Sequence, residues 1–294
     1  MAISMNALCM ECHLRRNLET ARKLGDEEKA TEFARELLKL YLSLPEDRGS
    51  PELGPATQEL FCRIYGAPRD RLKQEKEEAN RFIMERLEDI RALVDAAQDP
   101  LYAALQFSVL GNYLDFAALQ GKVNYDELDD MLSKALQTDL EGGGYETFRE
   151  DLARGKKLLY LTDNAGEIAF DRVLAERIKE EYPHLEITFC VRSGPIHNDA
   201  TVEDTQVVGI TFPVIGSGSN IGGTVIEKLS PQARQALEEA DVIIAKGMGN
   251  TETMYPCGYN VYYAFLMKCQ RVVDFFQKPL MTSMFIRDPD YKQN

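Results

Sequence analysis

Acids, amides and cations stand where the apolar runs of the C-terminal half stop. "LLYLT" (158–162) runs into Asp163-Asn164-Ala-Gly-Glu167, and "EITFCV" (186–191) into Arg192 and then Asn198-Asp199. "TFPVI" (211–215) is followed by "GSGSN", ending at Asn220, and "DVIIA" (241–245) by Lys246-Gly-Met-Gly-Asn250. Two carboxylates, Asp163 and Asp199, with the amide oxygen of Asn164, form a donor set suited to a hard divalent cation with water positions left open. Lys246 and Arg192 beside such a cation would neutralise a phosphate. Glycines at 216–223 and 247–249 would let backbone N–H groups approach phosphate oxygens. The chemistry these residues suit is metal-assisted phosphoryl transfer to water, with the cation polarising a phosphoryl oxygen and lysine offsetting developing charge.

Such residues converge only if the runs are neighbouring strands. After the triple glycine 142–144, short apolar runs alternate with helical patterns: "KKLLYLT", "GEIAFDRVLAERIKEEY", "LEITFCVRS", "VVGITFPVI", "EKLSPQARQALEEA", "DVIIA", "VYYAFLMK" and "PLMTSMFI". This alternation predicts a mostly parallel sheet covered on both faces, whose ligands collect beyond the carboxyl ends of the strands. Residues 1–140 read as a helical bundle, with "EEKATEFARELLKLYLS", a long charged helix across "DRLKQEKEEANRFIMERLEDIRALVDAA", and the nearly all-apolar "LYAALQFSVLGNYLDFAAL". The expected organisation is a helical domain at 1–140 and a metal- and phosphate-binding α/β/α domain at 141–294.

Each strand end also has a plain structural reading. Asn164 and Glu167 have capping-box spacing, as do Thr201 and Asp204, and Lys246-Gly-Met-Gly suits a simple turn. A cap leaves Asp163 unexplained, however, and separate turns do not predict that such features recur at one end of four strands. Asn112 and Asp115 sit poorly inside an apolar helix unless partnered, so both are expected to face the cleft from the helical side.

Composition narrows the alternatives. Acids outnumber bases 48 to 34, for a net charge of −14, which disfavours nucleic acid and anionic lipid as partners. No apolar run approaches the ~20 residues that span a bilayer, and "MAISMNALCMECHLRR" has no signal-peptide pattern, so a cytoplasmic protein is expected. The six cysteines are then free thiols or ligands. With only His13, His184 and His197, a metal site away from the cysteines must lean on oxygen donors: Mg²⁺ or Mn²⁺ foremost, with Co²⁺ or Ni²⁺ also accommodated.

"LTDNAGEIAFDRVL", "GPIHNDATVED", "GSGSNIGGT", "IIAKGMGNTET" and, in the helical half, "GNYLDFA" resemble, in order, the signatures of the damage-control phosphatase family, long catalogued as domain of unknown function 89. The resemblance implies a Rossmann-like three-layer α/β/α sandwich preceded by an all-helical domain. It also implies a divalent-metal-dependent phosphatase acting on sugar phosphates or on damaged or surplus cofactor intermediates. It places metal ligands at Asp163, Asn164 and Asp199 and a phosphate-binding lysine at Lys246, with Glu167, Asn198 and Asn250 at motif positions of less defined role. His197 stands where the family is expected to carry an apolar residue.

"CMECH" (9–13) matches a c-type haem attachment sequence, a reading at odds with a cytoplasmic chain. On a helix, Cys9, Cys12 and His13 would share a face, and Cys62 from a neighbouring helix would complete four soft ligands for a structural metal. The bland alternative is thiols packed as small apolar groups. One branch of the family shares an N-terminal Cys-x-x-Cys. Two other functions compete with the phosphatase. An S-adenosylmethionine-dependent carboxyl methyltransferase is one, although "DNAGE" lacks a Gly-x-Gly loop and Lys246 has no task in methyl transfer. A non-catalytic phosphometabolite-binding protein is the other, predicting saturable binding without turnover.

Overall fold

The computed structural model describes residues 3–119, 132 and 135–292, with the side chains of 114–119 outside that description. Its six strands are β1 Lys157–Leu161, β2 Glu186–Val191, β3 Val214–Gly216, β4 Val242–Lys246, β5 Val261–Leu266 and β6 Ser283–Arg287. They form one sheet in the order β3-β2-β1-β4-β5-β6, parallel except for β6, which runs antiparallel to β5. The chain starts at the centre, moves outward to β3 and returns to the other side of β1. Strand order therefore reverses between β1 and β4, the place where an open sheet leaves a crevice for ligands. Leu161 lies opposite Ala245 in that pair, so the strands end level and bring Thr162-Asp163 beside Lys246-Gly247.

The strand runs are apolar throughout because both faces are covered. Leu158, Tyr160, Val242, Ile244, Tyr262 and Ala264 face one core; Leu159, Leu161, Ile243, Ala245, Tyr263 and Phe265 face the other. This is the expected three-layer α/β/α arrangement. The described helices are α1 Ala7–Arg22, α2 Glu27–Ser43, α3 Gly54–Tyr65, α4 Lys73–Met84, α5 Leu87–Asp95, α6 Pro100–Leu119, α7 Tyr145–Arg154, α8 Glu167–Glu181, α9 Val202–Val207, α10 Pro231–Glu239, α11 Gly247–Met254 and α12 Gln270–Phe276.

The larger core draws on both sides of residue 140: Phe82, Ile90 and Phe107 from α4–α6 pack with Phe170 and Leu174 of α8 and with the sheet. Phe107 and Phe170 stack at 6.1 Å, and burying a ring of this size contributes roughly 2–3 kcal/mol. This contact sets α6 against α8 and carries Ser108 and Asn112 to the sheet's switch point. Helices α1–α3 gather around a separate cluster containing Phe33, Leu37 and Phe61.

Four local expectations change. The long helix at 70–97 is two helices, interrupted at Glu85-Arg86, where the Arg86 guanidinium lies 3.7 Å from the centre of the Phe82 ring and donates to the Phe82 carbonyl. "VVGITFPVI" yields only the three-residue β3, because its start belongs to α9 and Pro213 precedes the paired segment. The helix expected across 227–240 begins at Pro231: Ser230 caps it by accepting from the Ala233 N–H, and proline suits the first helical position. The turn at Lys246-Gly-Met-Gly is instead the start of α11.

Candidate functional site

The crevice side of β1 and β2 is tied together by backbone. Asn164 and Asp199 form an antiparallel bridge, Ala165 N–H donates to the Asn198 carbonyl at 2.9 Å, and Ala200 N–H to the Asp163 carbonyl at 2.7 Å. These bonds hold Asp163, Asn164 and Asp199 side by side, all three buried. Gly247 closes the floor from β4. Its φ of 76° suits glycine, and a Cβ there would lie 1.9 Å from Asp163 Oδ2, so the carboxylate rests against the bare backbone that opens α11.

Asn164 does not cap α8. Its Nδ2 donates to Asp163 Oδ2 at 2.7 Å and to Glu167 Oε2 at 2.9 Å, both amide protons going to carboxylates and Oδ1 remaining as the acceptor. Asn112, fully buried on α6, makes a matching pair of bonds to the same two oxygens at 2.9 and 3.0 Å. The position before α8 is filled by Gly166, with φ 76°, whose N–H donates at 2.7 Å to Asn80 Oδ1 from α4. The other expected capping box does form: Asp204 Oδ2 accepts from the N–H and the hydroxyl of Thr201, each at 2.8 Å.

Behind Glu167 lies a fully buried cation. Lys246 Nζ donates to Glu167 Oε1 at 2.6 Å, to Asp171 Oδ1 at 2.8 Å and to the Ser108 carbonyl at 2.8 Å, which uses its three protons. Burial alone would strip its charge, but Asp171 and Glu167 outweigh that and raise its pKa. Asp171 Oδ1 also accepts from the hydroxyls of Ser108 and Tyr160, both at 2.8 Å, while its Oδ2 has no hydrogen-bond partner. Burial, with Glu167 nearby, pushes the Asp171 carboxyl up against the pull of Lys246.

Arg192, 2% exposed, meets Asp199 Oδ2 through Nε at 2.8 Å. Asn250, fully buried, donates to the carbonyls of Thr162 and Lys246 and accepts at Oδ1 from Arg192 and from the Thr224 hydroxyl. Asn198 contributes its carbonyl to the bridge described above. Asp115 has its side chain outside the described residues.

Buried within this site are four carboxylates (Asp163, Glu167, Asp171 and Asp199) against two cations, Lys246 and Arg192. An excess of buried negative charge, bordered by an amide oxygen, fits a divalent cation; Asp163, Asn164 and Asp199 would hold it, with outside ligands completing its coordination. Among the described residues, no group of three or more His, Cys, Asp or Glu side chains is placed to hold a metal by itself.

The N-terminal cysteines are arranged differently. Cys9, Cys12 and His13 share α1, while Cys62 lies on α3. His13 Nδ1 is bonded to the Tyr41 hydroxyl at 2.9 Å, and burial, together with His197 and Arg16, lowers its pKa to about 4. Burial raises the Cys9 thiol.

Asp171, Ser108, Tyr160 and Asn80 are site residues that the sequence reading missed. Asp171 carried a usable signal: it follows Glu167 by one helical turn on the helix leaving β1. The other three are brought in by tertiary packing and had none.

Fold and site together define a class: a Rossmann-like α/β/α protein with an acid-rich buried cluster of oxygen donors at the switch point, backed by one lysine and one arginine. The chain belongs to the family described as damage-control phosphatase ARMT1-like, whose domain model matches residues 5–284. It is 33% identical over 278 residues to a damage-control phosphatase of Archaeoglobus fulgidus, covering 92% of this chain and 94% of that one. It is 31% identical over 286 residues to an uncharacterized protein of Methanocaldococcus jannaschii, covering 93% and 92%. The crystal structure of a DUF89 family protein from Pyrococcus horikoshii superposes with a TM-score of 0.81 at 26% identity, covering 97% of this chain and 99% of that one. No described helix is long and apolar enough to cross a membrane.

Proposed function

We propose that the protein is a divalent-metal-dependent phosphatase that hydrolyses phosphate esters of small metabolites, sugar phosphates or damaged or surplus cofactor intermediates, with Mn²⁺ or Mg²⁺ as the working ion. Relatives bearing the name damage-control phosphatase support the reaction class. The observation that carries the metal is the convergence of Asp163, Asn164 and Asp199 at the switch point, inside a pocket with more buried carboxylates than cations.

When bound, a divalent ion supplies Lewis-acid polarisation of a phosphoryl oxygen. The chain's own residues prepare the place. Asn112 and Asn164 fix Asp163 Oδ2 with two amide donors, which holds the carboxylate as a ligand and blunts it as a nucleophile; water is the attacking group in this reading. Lys246 holds Glu167 in place, and Glu167 in turn orients both amides. The start of α11 lies against Asp163, where its first N–H groups suit a phosphate oxygen. Lys246 reaches a phosphate only by exchanging one of its three protein acceptors.

The test is phosphate release from a panel of sugar and cofactor phosphates by chelator-stripped protein, with each divalent ion added back. Release that returns with Mn²⁺ or Mg²⁺ is expected, and the ranking of esters narrows the substrate. Folded protein that releases no phosphate with any ion would defeat the proposal.

A further inference from the structure

We infer that Arg192 is a positioning residue, a buried fork that orients Asp199 and locks the segments after four strands together rather than a cation that meets the phosphate. The inference rests on the metal-dependent reading above. A guanidinium has five N–H donors in a fixed plane, and here five acceptors of the protein surround it. Nε faces Asp199 Oδ2 at 2.8 Å. Nη1 faces the Gly223 carbonyl at 2.9 Å and the Thr224 hydroxyl at 3.5 Å, and Nη2 faces Asn250 Oδ1 at 3.1 Å and the Thr162 carbonyl at 3.4 Å.

The five acceptors come from four parts of the crevice wall. Thr162 immediately precedes Asp163 after β1, Asp199 follows β2, Gly223 and Thr224 follow β3, and Asn250 is on α11 after β4. Arg192 itself directly follows β2, and its backbone N–H donates to the Ala200 carbonyl at 3.0 Å. With every donor directed into protein and the side chain 2% exposed, the guanidinium has no free edge for a ligand. Its effect on the reaction passes through the orientation of Asp199 at Oδ2 and through the spacing of the segments that carry Asp163 and Lys246. Groups that orient a metal ligand typically change metal affinity 10–100-fold when removed.

Lysine separates this role from simple charge neutralisation, because it keeps the positive charge and loses the fork. The probe is Mn²⁺ alone, titrated calorimetrically into chelator-stripped wild type and Arg192→Lys, with kcat and KM for p-nitrophenyl phosphate measured at saturating Mn²⁺. The expected result is a Mn²⁺ Kd at least roughly tenfold weaker in Arg192→Lys, with KM for the ester unchanged. In an Asp199→Asn background, the same substitution is expected to weaken Mn²⁺ binding little further.

An unchanged Mn²⁺ Kd, or a raised KM in Arg192→Met that lysine restores, would overturn the inference and put Arg192 on the phosphate. Wild type that neither binds Mn²⁺ nor turns over would instead defeat the underlying reading. Arg192→Lys leaves Asp199 with a cationic neighbour and is expected to fold. Should it not, Thr224→Val and Asn250→Ala loosen the fork with its charge kept, and the same weakening of Mn²⁺ binding is expected of them. Unchanged Mn²⁺ binding in both would overturn the inference.

Discussion

The loops entering α8 and α9 lie side by side at the same end of the sheet, and both put a polar residue three positions before an acid. At α9, Thr201 and Asp204 satisfy each other, and Asp204 also accepts from Asn80 at 2.8 Å and pairs with Lys76 at 2.7 Å. At α8, Asn164 turns away from the helix and gives its amide protons to Asp163 and Glu167, while Asn80 serves the Gly166 N–H from across the fold. At α9, Thr201 and Asp204 serve the helix entry and its packing on α4. The α8 loop has its helix entry supported from α4, which releases Asn164 for the pocket. A residue that a helix does not need for its cap, and that carboxylates hold instead, marks the place where the chain has kept a ligand.

Substitutions at the two loops are expected to part along this line. Asn164→Ala should cut phosphate release by roughly a hundredfold, measured as kcat/KM at fixed Mn²⁺, while far-ultraviolet circular dichroism stays unchanged; wild-type turnover would erase the distinction. Asp171→Asn keeps an acceptor for Ser108 and Tyr160 but leaves Lys246 a single carboxylate. A charge-assisted hydrogen bond is worth about 1.5 kcal/mol or more, so kcat should fall roughly tenfold, and a wild-type kcat would show that Glu167 alone suffices.

Glu252 lies farther along α11, the helix whose start rests against Asp163. It accepts from the Ser50 hydroxyl at 3.2 Å, and burial raises its pKa to about 7. Its proton is therefore held more tightly in the folded state than in the unfolded state. That contribution is complete below the ordinary value of 4.5 and is lost as pH rises through about 7. Glu252→Gln should remove this loss, gaining about 3 kcal/mol over wild type at pH 8 in urea unfolding; parallel stability–pH curves would contradict it. The smallest effect belongs to the α9 loop. Thr201→Ala should cost about 1 kcal/mol of unfolding free energy with turnover unchanged, and a loss of turnover would make Thr201 itself part of the site.

The strands were legible because parallel strands buried on both faces are apolar along their whole length, and the polar residues after β1, β2 and β4 stood out against them. Asp163, Asn164 and Asp199, the proposed ligands, stood out for the same reason. Asn112 could be read as an amide needing a partner inside an apolar helix. What stayed hidden depends on contacts distant in sequence. Asn164-x-x-Glu167 looks like a cap until Asn80 is seen supplying Gly166, and Lys246 looks exposed until α6 and α8 close over it. Arg192 read as a phosphate neutraliser because its five protein acceptors come from three separate loops and α11. Near the N-terminus, spacing placed Cys9, Cys12 and His13 together on α1, but it did not foresee His13 engaged by Tyr41.

The central claim is that Asp163, Asn164 and Asp199 form the place where a divalent cation is held. Calorimetric titration of Mn²⁺ into chelator-stripped wild type and Asp199→Asn tests it most directly, since asparagine keeps an oxygen for Arg192. The account predicts saturable binding at one site in wild type, weakened at least roughly tenfold in the variant, with circular dichroism the same for both. Equal affinity in the two proteins, or no binding by folded wild type, would contradict it.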